Sequence, residues 1–380
     1  MYGPAAGHPV LPLVACENLG YPGSKHIFYD ERGLLGMALH PDFPDTRKFY
    51  VRYSAQRHES TPPTFDHTDV LVEYKATSEL TQVDPDSKRI ILSVPQPDPT
   101  HNGGAVCFGQ DGYLYSSYGD GGYLSRPASA DYQDWYSENF GNSAQIVERD
   151  LLGGIHRLNV DQPGNDTPYT IPPDNPLVGE CGHNEYYAWG FRNPWRMSVD
   201  SHGRLFAADV GEQLYEEVNL VEKGTNYGWN IKEGTHCFNA DNYTNPLPDC
   251  PEQTPPVVRG GEPLRDPIIE YPRTRENIVI GTAVIGGYVY EATSISDLNG
   301  DYVFGDFLGR VFAASPSPSS DQNTWAIKEL PIMNHHSPNG HQYILSFGRD
   351  AAGELYLLTT QDPQRPDGNT GVVYRISPAS

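Results

Sequence analysis

Basic residues are scarce in this sequence of 380 residues: 26 lysines and arginines stand against 49 aspartates and glutamates, a formal net charge of −23. A surface of that sign repels phosphate backbones and anionic lipid, which argues against nucleic acid as a partner. Long apolar runs are missing too. No stretch reaches the roughly 18 residues that a membrane-spanning helix needs. There are only 4 methionines, and apolar stripes at helical period are hard to find. The first residues, Met1-Tyr2-Gly3-Pro4, lack the basic and apolar segments of a secretory leader.

What is abundant points the other way. With 38 glycines, 34 prolines and 25 tyrosines, the composition favours strands and tight turns, hence an all-β fold. Of the 5 cysteines, Cys237 and Cys250 bracket a polar, proline-containing loop and are placed to staple it. Cys16 and Cys181 are a second candidate pair, and Cys107, in an apolar strand, reads as a buried thiol. Asn165-Asp166-Thr167 and Asn242-Tyr243-Thr244 are glycosylation sequons. Together these features suggest a secreted glycoprotein whose leader lies outside this chain.

One unit recurs: an apolar strand, a turn rich in Asp and Gly, then a strand of aromatic and small residues. Five copies fall at 33–43 with 48–53, 101–122, 195–209, 285–290 with 298–306, and 344–350 with 353–358. Hairpins repeating at wide spacing predict a β-propeller, here a single domain over 1–380, because each small sheet must bury its faces against the next. The longest insertion runs over 234–271.

The second copy carries the clearest chemistry. His101-Asn102-Gly103-Gly104 opens a strand, and Gly119-Asp120-Gly121-Gly122 closes the one after it. A hairpin brings His101 and Asp120 to the same end, where a carboxylate-oriented imidazole can act as a general base. Further on, Gly190-Phe191-Arg192-Asn193-Pro194 offers a guanidinium fork and an amide, though a structural arginine paired with a nearby acid fits the same residues. In Asp209-Val210-Gly211-Glu212 a glycine-containing turn exposes main-chain carbonyls, which are good Ca²⁺ ligands. His335-His336 with His341 reads as a polar loop rather than a metal cluster.

These stretches, with Glu31-Arg32-Gly33-Leu34, His40-Pro41-Asp42-Phe43, Asn226-Tyr227-Gly228-Trp229 and Gly286-Gly287-Tyr288, carry a family likeness. The chain resembles the soluble glucose/sorbosone dehydrogenases, six-bladed propellers that bind pyrroloquinoline quinone (PQQ) and Ca²⁺, and within them the hedgehog-interacting-protein-like branch. The resemblance implies six blades, the first incomplete because little sequence precedes Glu31. It implies His101 as base, Asp120 as its partner, and Arg192, Asn193 and Glu31 beside the quinone. Gly211 and Glu212 would hold the cofactor's calcium through their carbonyls, and Glu217 falls where relatives place an acid near another calcium. Of the last blades' basic residues, Arg310 is the candidate for the cofactor's carboxylates. The implied function is a PQQ- and calcium-dependent oxidoreductase acting on CH–OH groups of a sugar or related alcohol. The alternatives are a secreted propeller that captures an extracellular protein ligand, with the acidic loop 237–262 as its surface, and a pseudoenzyme.

Overall fold

A computed structural model describes residues 30–122, 144–239, 242–254, 259–317, 324–332, 342–362 and 370–378. Cys16 and the histidines at 335, 336 and 341 lie outside the described residues.

The repeats fold as antiparallel sheets, one per copy. Blade I holds β1 (Leu34–Leu39), β2 (Lys48–Ala55), β3 (His67–Ala76) and β4 (Val83–Gln96) in that order. Blade II holds β5 (Val106–Phe108), β6 (Leu114–Tyr118), β7 (Gly154–Leu158) and β8 (Tyr186–Trp189). Blade III starts with β9 (Pro194–Val199), β10 (Leu205–Asp209) and β11 (Tyr215–Val221). An insertion with a small hairpin, β12 (Lys232–Glu233) and β13 (His236–Cys237), precedes its fourth strand, β14 (Ile269–Pro272). A second small hairpin, β15 (Thr274–Arg275) and β16 (Ile278–Val279), leads on. Blade IV holds β17 (Val284–Val289), β18 (Tyr302–Asp306), β19 (Val311–Pro316) and β20 (Trp325–Leu330), and blade V holds β21 (Tyr343–Arg349), β22 (Leu355–Thr360) and β23 (Val372–Arg375).

Three of the hairpin turns repeat one device. Asp111 Oδ1 accepts the N–H of Tyr113, Asp200 Oδ1 those of His202 and Arg204, and Asp350 Oδ1 those of Ala352 and Glu354. Gly112, Gly203 and Gly353 take the left-handed φ that each turn needs, at 79°, 79° and 83°. The Asp…Gly signature read from the sequence is therefore a physical turn.

Apolar faces are buried between blades. Tyr50, Leu71, Val106 and Leu114 join blades I and II, and Ala105, Ile155, Met197 and Ala207 join II and III. Phe206, Val218, Tyr302 and Phe304 join III and IV, while Val303, Ala313, Ile344 and Leu355 join IV and V. The inner strands approach closely enough that a Cβ on Gly36 would fall 2.2 Å from Gly104 O. The expected six blades are thus corrected to five among the described residues. The sixth came from family likeness, whereas each sheet here grows from one of the five copies in the sequence. Blades I and V end the series, and apolar side chains remain exposed there: Met37 at 61 % and Val373 at 65 %.

Two buried polar groups set the energetics of the first two blades. Arg52 and Asp69 are both fully buried and paired at 2.7 Å. Arg52 lies 3.5 Å from the centroid of the Tyr118 ring and donates across the blade boundary to the carbonyls of Asn102 and Ser117. Burial alone would raise the Asp69 carboxyl, but Arg52 and His67 hold it below the usual carboxylate range. Replacing Arg52 leaves the buried Asp69 carboxylate with only Ser54 and His67 on Oδ1, and takes the side-chain donor from two carbonyls. Arg52→Met is expected to cost about 3–5 kcal/mol in urea unfolding, and a loss under 1 kcal/mol would refute this role.

His156 is the opposite case. It is fully buried against Tyr118 and Tyr186, and neither ring nitrogen has a partner among the described residues. Burial, with Arg52 and His183 nearby, pushes its pKa down to about 3. The unfolded imidazole takes a proton below about 6.5 while the folded one does not, so stability is lost as pH falls from 6.5 towards 3. By pH 5 the loss from this group is about 2 kcal/mol. His156→Phe should lose that much less than the wild type between pH 7 and pH 5; parallel losses in urea titrations would show that His156 does not set the slope.

Candidate active site

His101, on the loop before β5, and Asp120, just beyond β6, meet as the hairpin geometry requires. His101 Nδ1 lies 2.8 Å from Asp120 Oδ1. Asp120 is buried and also accepts Trp229 Nε1–H at 2.7 Å on Oδ2 and the Gly122 N–H at 2.9 Å. A carboxylate surrounded by donors only accepts, so the imidazole Nδ1 carries the hydrogen and Nε2 presents a lone pair. Nε2 has no partner among the described residues, and the His101 side chain is 13 % exposed. His101 has a left-handed φ of 53°, uncommon for a residue that carries a Cβ.

Four residues build the frame behind this pair. Asp209, at the end of β10, accepts the N–H groups of Arg192 at 2.8 Å and Asn193 at 2.6 Å. Arg192 O then accepts the Asp120 N–H at 2.8 Å, and Asn193 Oδ1 accepts the Gly103 N–H at 2.9 Å. Glu31 Oε2 receives the His101 N–H at 2.9 Å and Asn193 Nδ2–H at 3.1 Å. Glu31, through Oε2, and the Asn193 side-chain amide therefore position the His101 loop. Burial pushes the Asp209 carboxyl up to about 7 despite those N–H donors. Glu217, its cross-strand neighbour on β11, is raised by burial and by Asp209. Glu217 is held by Asn219 Nδ2–H and the Gly234 N–H.

Arg192 is buried with its guanidinium 5.4 Å from the Trp229 ring. It pairs with Glu212 and donates to Val210 O at 3.0 Å. Burial opposes the charge on both members, yet Arg192 and His101 hold the Glu212 carboxyl below its usual range. Arg192 Nε is buried and has no partner among the described residues. An orphaned donor in the same hydrogen-bonded frame as an open imidazole fits an anionic or quinone-bearing group here. Arg310 offers nothing comparable, because it is committed to Glu329 and to Ile280 O.

Calcium fits less well. The Gly211 and Glu212 carbonyls do lie together, but Arg273 donates to both, from Nη2 at 2.8 Å and Nη1 at 2.6 Å. Each oxygen already accepts from the guanidinium, whose positive charge stands where the ion would. A separate group, Asp200, His202 and Glu291, brings ligand atoms within 4.8 Å of one another. There Asp200 serves its own turn and Arg204, and Glu291 pairs with Arg349.

Sequence reasoning did not assign three participants. Trp229 reaches Asp120 from a loop 109 residues away. Glu233 Oε1 gathers the consecutive N–H groups of Glu212, Gln213, Leu214 and Tyr215 and so shapes the 211–215 turn. Arg273 sits between two short strands with no local motif around it. Only Trp229 left a trace, inside a quoted stretch whose role was not assigned. The Cys237–Cys250 disulfide is formed and closes the insertion.

Comparison with known proteins agrees with this architecture. The family model described as Glucose / Sorbosone dehydrogenase matches residues 20–306. The HIPL2 protein of Arabidopsis thaliana is 30% identical over 89% of this chain and 53% of its own length. Hedgehog-interacting protein of Homo sapiens is 28% identical over 91% of this chain and 43% of its own. Quinoprotein glucose dehydrogenase B of Acinetobacter calcoaceticus is 30% identical over 52% of this chain and 40% of its own. The chain thus spans about half the length of the curated relatives it matches. A solved glucose dehydrogenase shares the fold, with a TM-score of 0.65 and 19% identity over 92% of this chain and 84% of that one. On the extent of the family match, this chain belongs to the glucose/sorbosone dehydrogenase family.

Proposed function

We propose that this chain is a quinoprotein oxidoreductase acting on a CH–OH group of a sugar or related alcohol. The observation that carries this reading is the His101–Asp120–Trp229 arrangement, with Nε2 of the imidazole open and its proton-bearing side fixed. Bound PQQ would supply the two-electron acceptor that no side chain provides. Arg192, through its unpartnered Nε, is the residue that would face it. His101 Nε2 takes the hydroxyl proton as the carbon gives up its hydride, leaving a carbonyl. Asp120 stabilises the imidazolium that forms, and Trp229 keeps Asp120 from turning away. The disulfide and the exposed Asn165 and Asn242 sequons suit an extracellular setting.

A second reading has one observation of its own. The carbonyls expected to hold calcium are spent on Arg273, as a propeller that only binds a protein ligand could afford. In that reading the 237–262 loop is the contact surface, as the likeness to Hedgehog-interacting protein suggests.

Dye reduction by the PQQ-reconstituted chain over a panel of aldoses separates the two. His101→Gln should lower kcat at least about 100-fold with KM little changed, and Asp120→Asn should follow in the same direction. Unchanged rates in His101→Gln would sink the enzymatic reading. A wild-type chain that binds PQQ and reduces no dye would leave the binding reading in its place.

A further inference from the structure

Arg273 is the least expected residue of the site. It follows β14 directly, and its backbone N–H is tied to Leu214 O at 2.8 Å. Its Nε donates to Glu216 Oε1 at 2.5 Å. Glu216 is fully buried on β11, and its Oε2 also accepts the Val284 N–H at 2.8 Å, so the anchor itself cannot swing. From that anchor the two terminal nitrogens reach Glu212 O and Gly211 O.

The arrangement is that of a cation on two main-chain carbonyls with a carboxylate behind it. A calcium ion would use the same oxygens, at 2.3–2.6 Å, and would demand six or more ligands in all. It could not share them with a guanidinium a few ångströms away. Like charges would repel, and expelling Arg273 would leave the buried Glu216 carboxylate unpaired, a costly state. The guanidinium has five N–H donors. Three are used here, and one on each terminal nitrogen remains. The side chain is 19 % exposed, and its three bonded N–H groups fix the plane of the cation.

We infer that Arg273 is a built-in cation standing where calcium was expected, and that it takes the place of the ion at the Gly211 and Glu212 carbonyls. The inference rests on the proposed function for the identity of the pocket. Its test reads calcium and not turnover, so the two can fail separately.

The experiment is calorimetric titration of CaCl₂ into the chelator-stripped full chain, for the wild type and for Arg273→Met. Removing the guanidinium exposes Gly211 O, Glu212 O and the Glu216 carboxylate together. Arg273→Met should therefore bind one calcium equivalent more than the wild type. Its melting midpoint should be lower in chelator and rise by about 5 °C in excess calcium beyond any wild-type response. Arg273→Lys, which keeps a cation there, should gain no site. If Arg273→Met cannot be purified in chelator, refolding from urea with and without calcium gives the same reading: recovery with calcium alone supports the assignment. Equal calcium stoichiometry in wild type and Arg273→Met, or a variant that calcium neither binds nor rescues, would overturn it.

Discussion

The Asp209 carboxylate holds this site together. By taking the N–H groups of two successive residues, Arg192 and Asn193, it fixes a dipeptide whose remaining polar atoms reach into the neighbouring blade. The Arg192 carbonyl receives Asp120, and the Asn193 side chain receives Gly103. The acid and the base of the candidate pair thus hang from one dipeptide, and that dipeptide hangs from one carboxylate at the end of β10. A buried carboxylate tolerates such a position only when donors surround it. Much of the strongly acidic balance of the chain is spent in this way. Glu233 collects four N–H groups, and Asp306 collects those of Thr282, Ala283 and Leu308 together with the Tyr271 hydroxyl. What reads in composition as a soluble surface is in part an internal set of acceptors.

The blades were legible in the sequence because the information that makes a blade is local. An apolar strand, an Asp…Gly turn and an aromatic strand lie within about twenty residues, and the side chain of Asp111, Asp200 or Asp350 closes its own turn. The pairing of His101 with Asp120 was legible for the same reason, since one hairpin joins them. The Cys237–Cys250 staple likewise spans a short loop. The number of blades was not legible in this way. Six was carried over from the likeness, while the count of copies in the sequence was five, as in the described structure.

What escaped was whatever joins residues far apart in the sequence. Trp229, in the insertion of blade III, reaches Asp120 of blade II, and Arg273 reaches the 211–212 turn of its own blade only once β14 has paired with β11 across that insertion. No spacing rule encodes such a contact. Glu31 and Asn193 show a subtler limit. The resemblance implied a place beside a cofactor, whereas the hydrogen bonds show Glu31 Oε2 and the Asn193 amide holding the His101 loop.

The left-handed backbone at His101 has a consequence for how the imidazole works. A non-glycine residue held at positive φ is conformationally costly, and that cost is met during folding by Glu31, Asn193 and the glycines around it. The ring is therefore held before any ligand arrives, and under the proposed function little rotational freedom would be left to lose on binding. At this position the side chain's direction is a property of the main chain, so a histidine moved one residue along would keep its chemistry and lose its address.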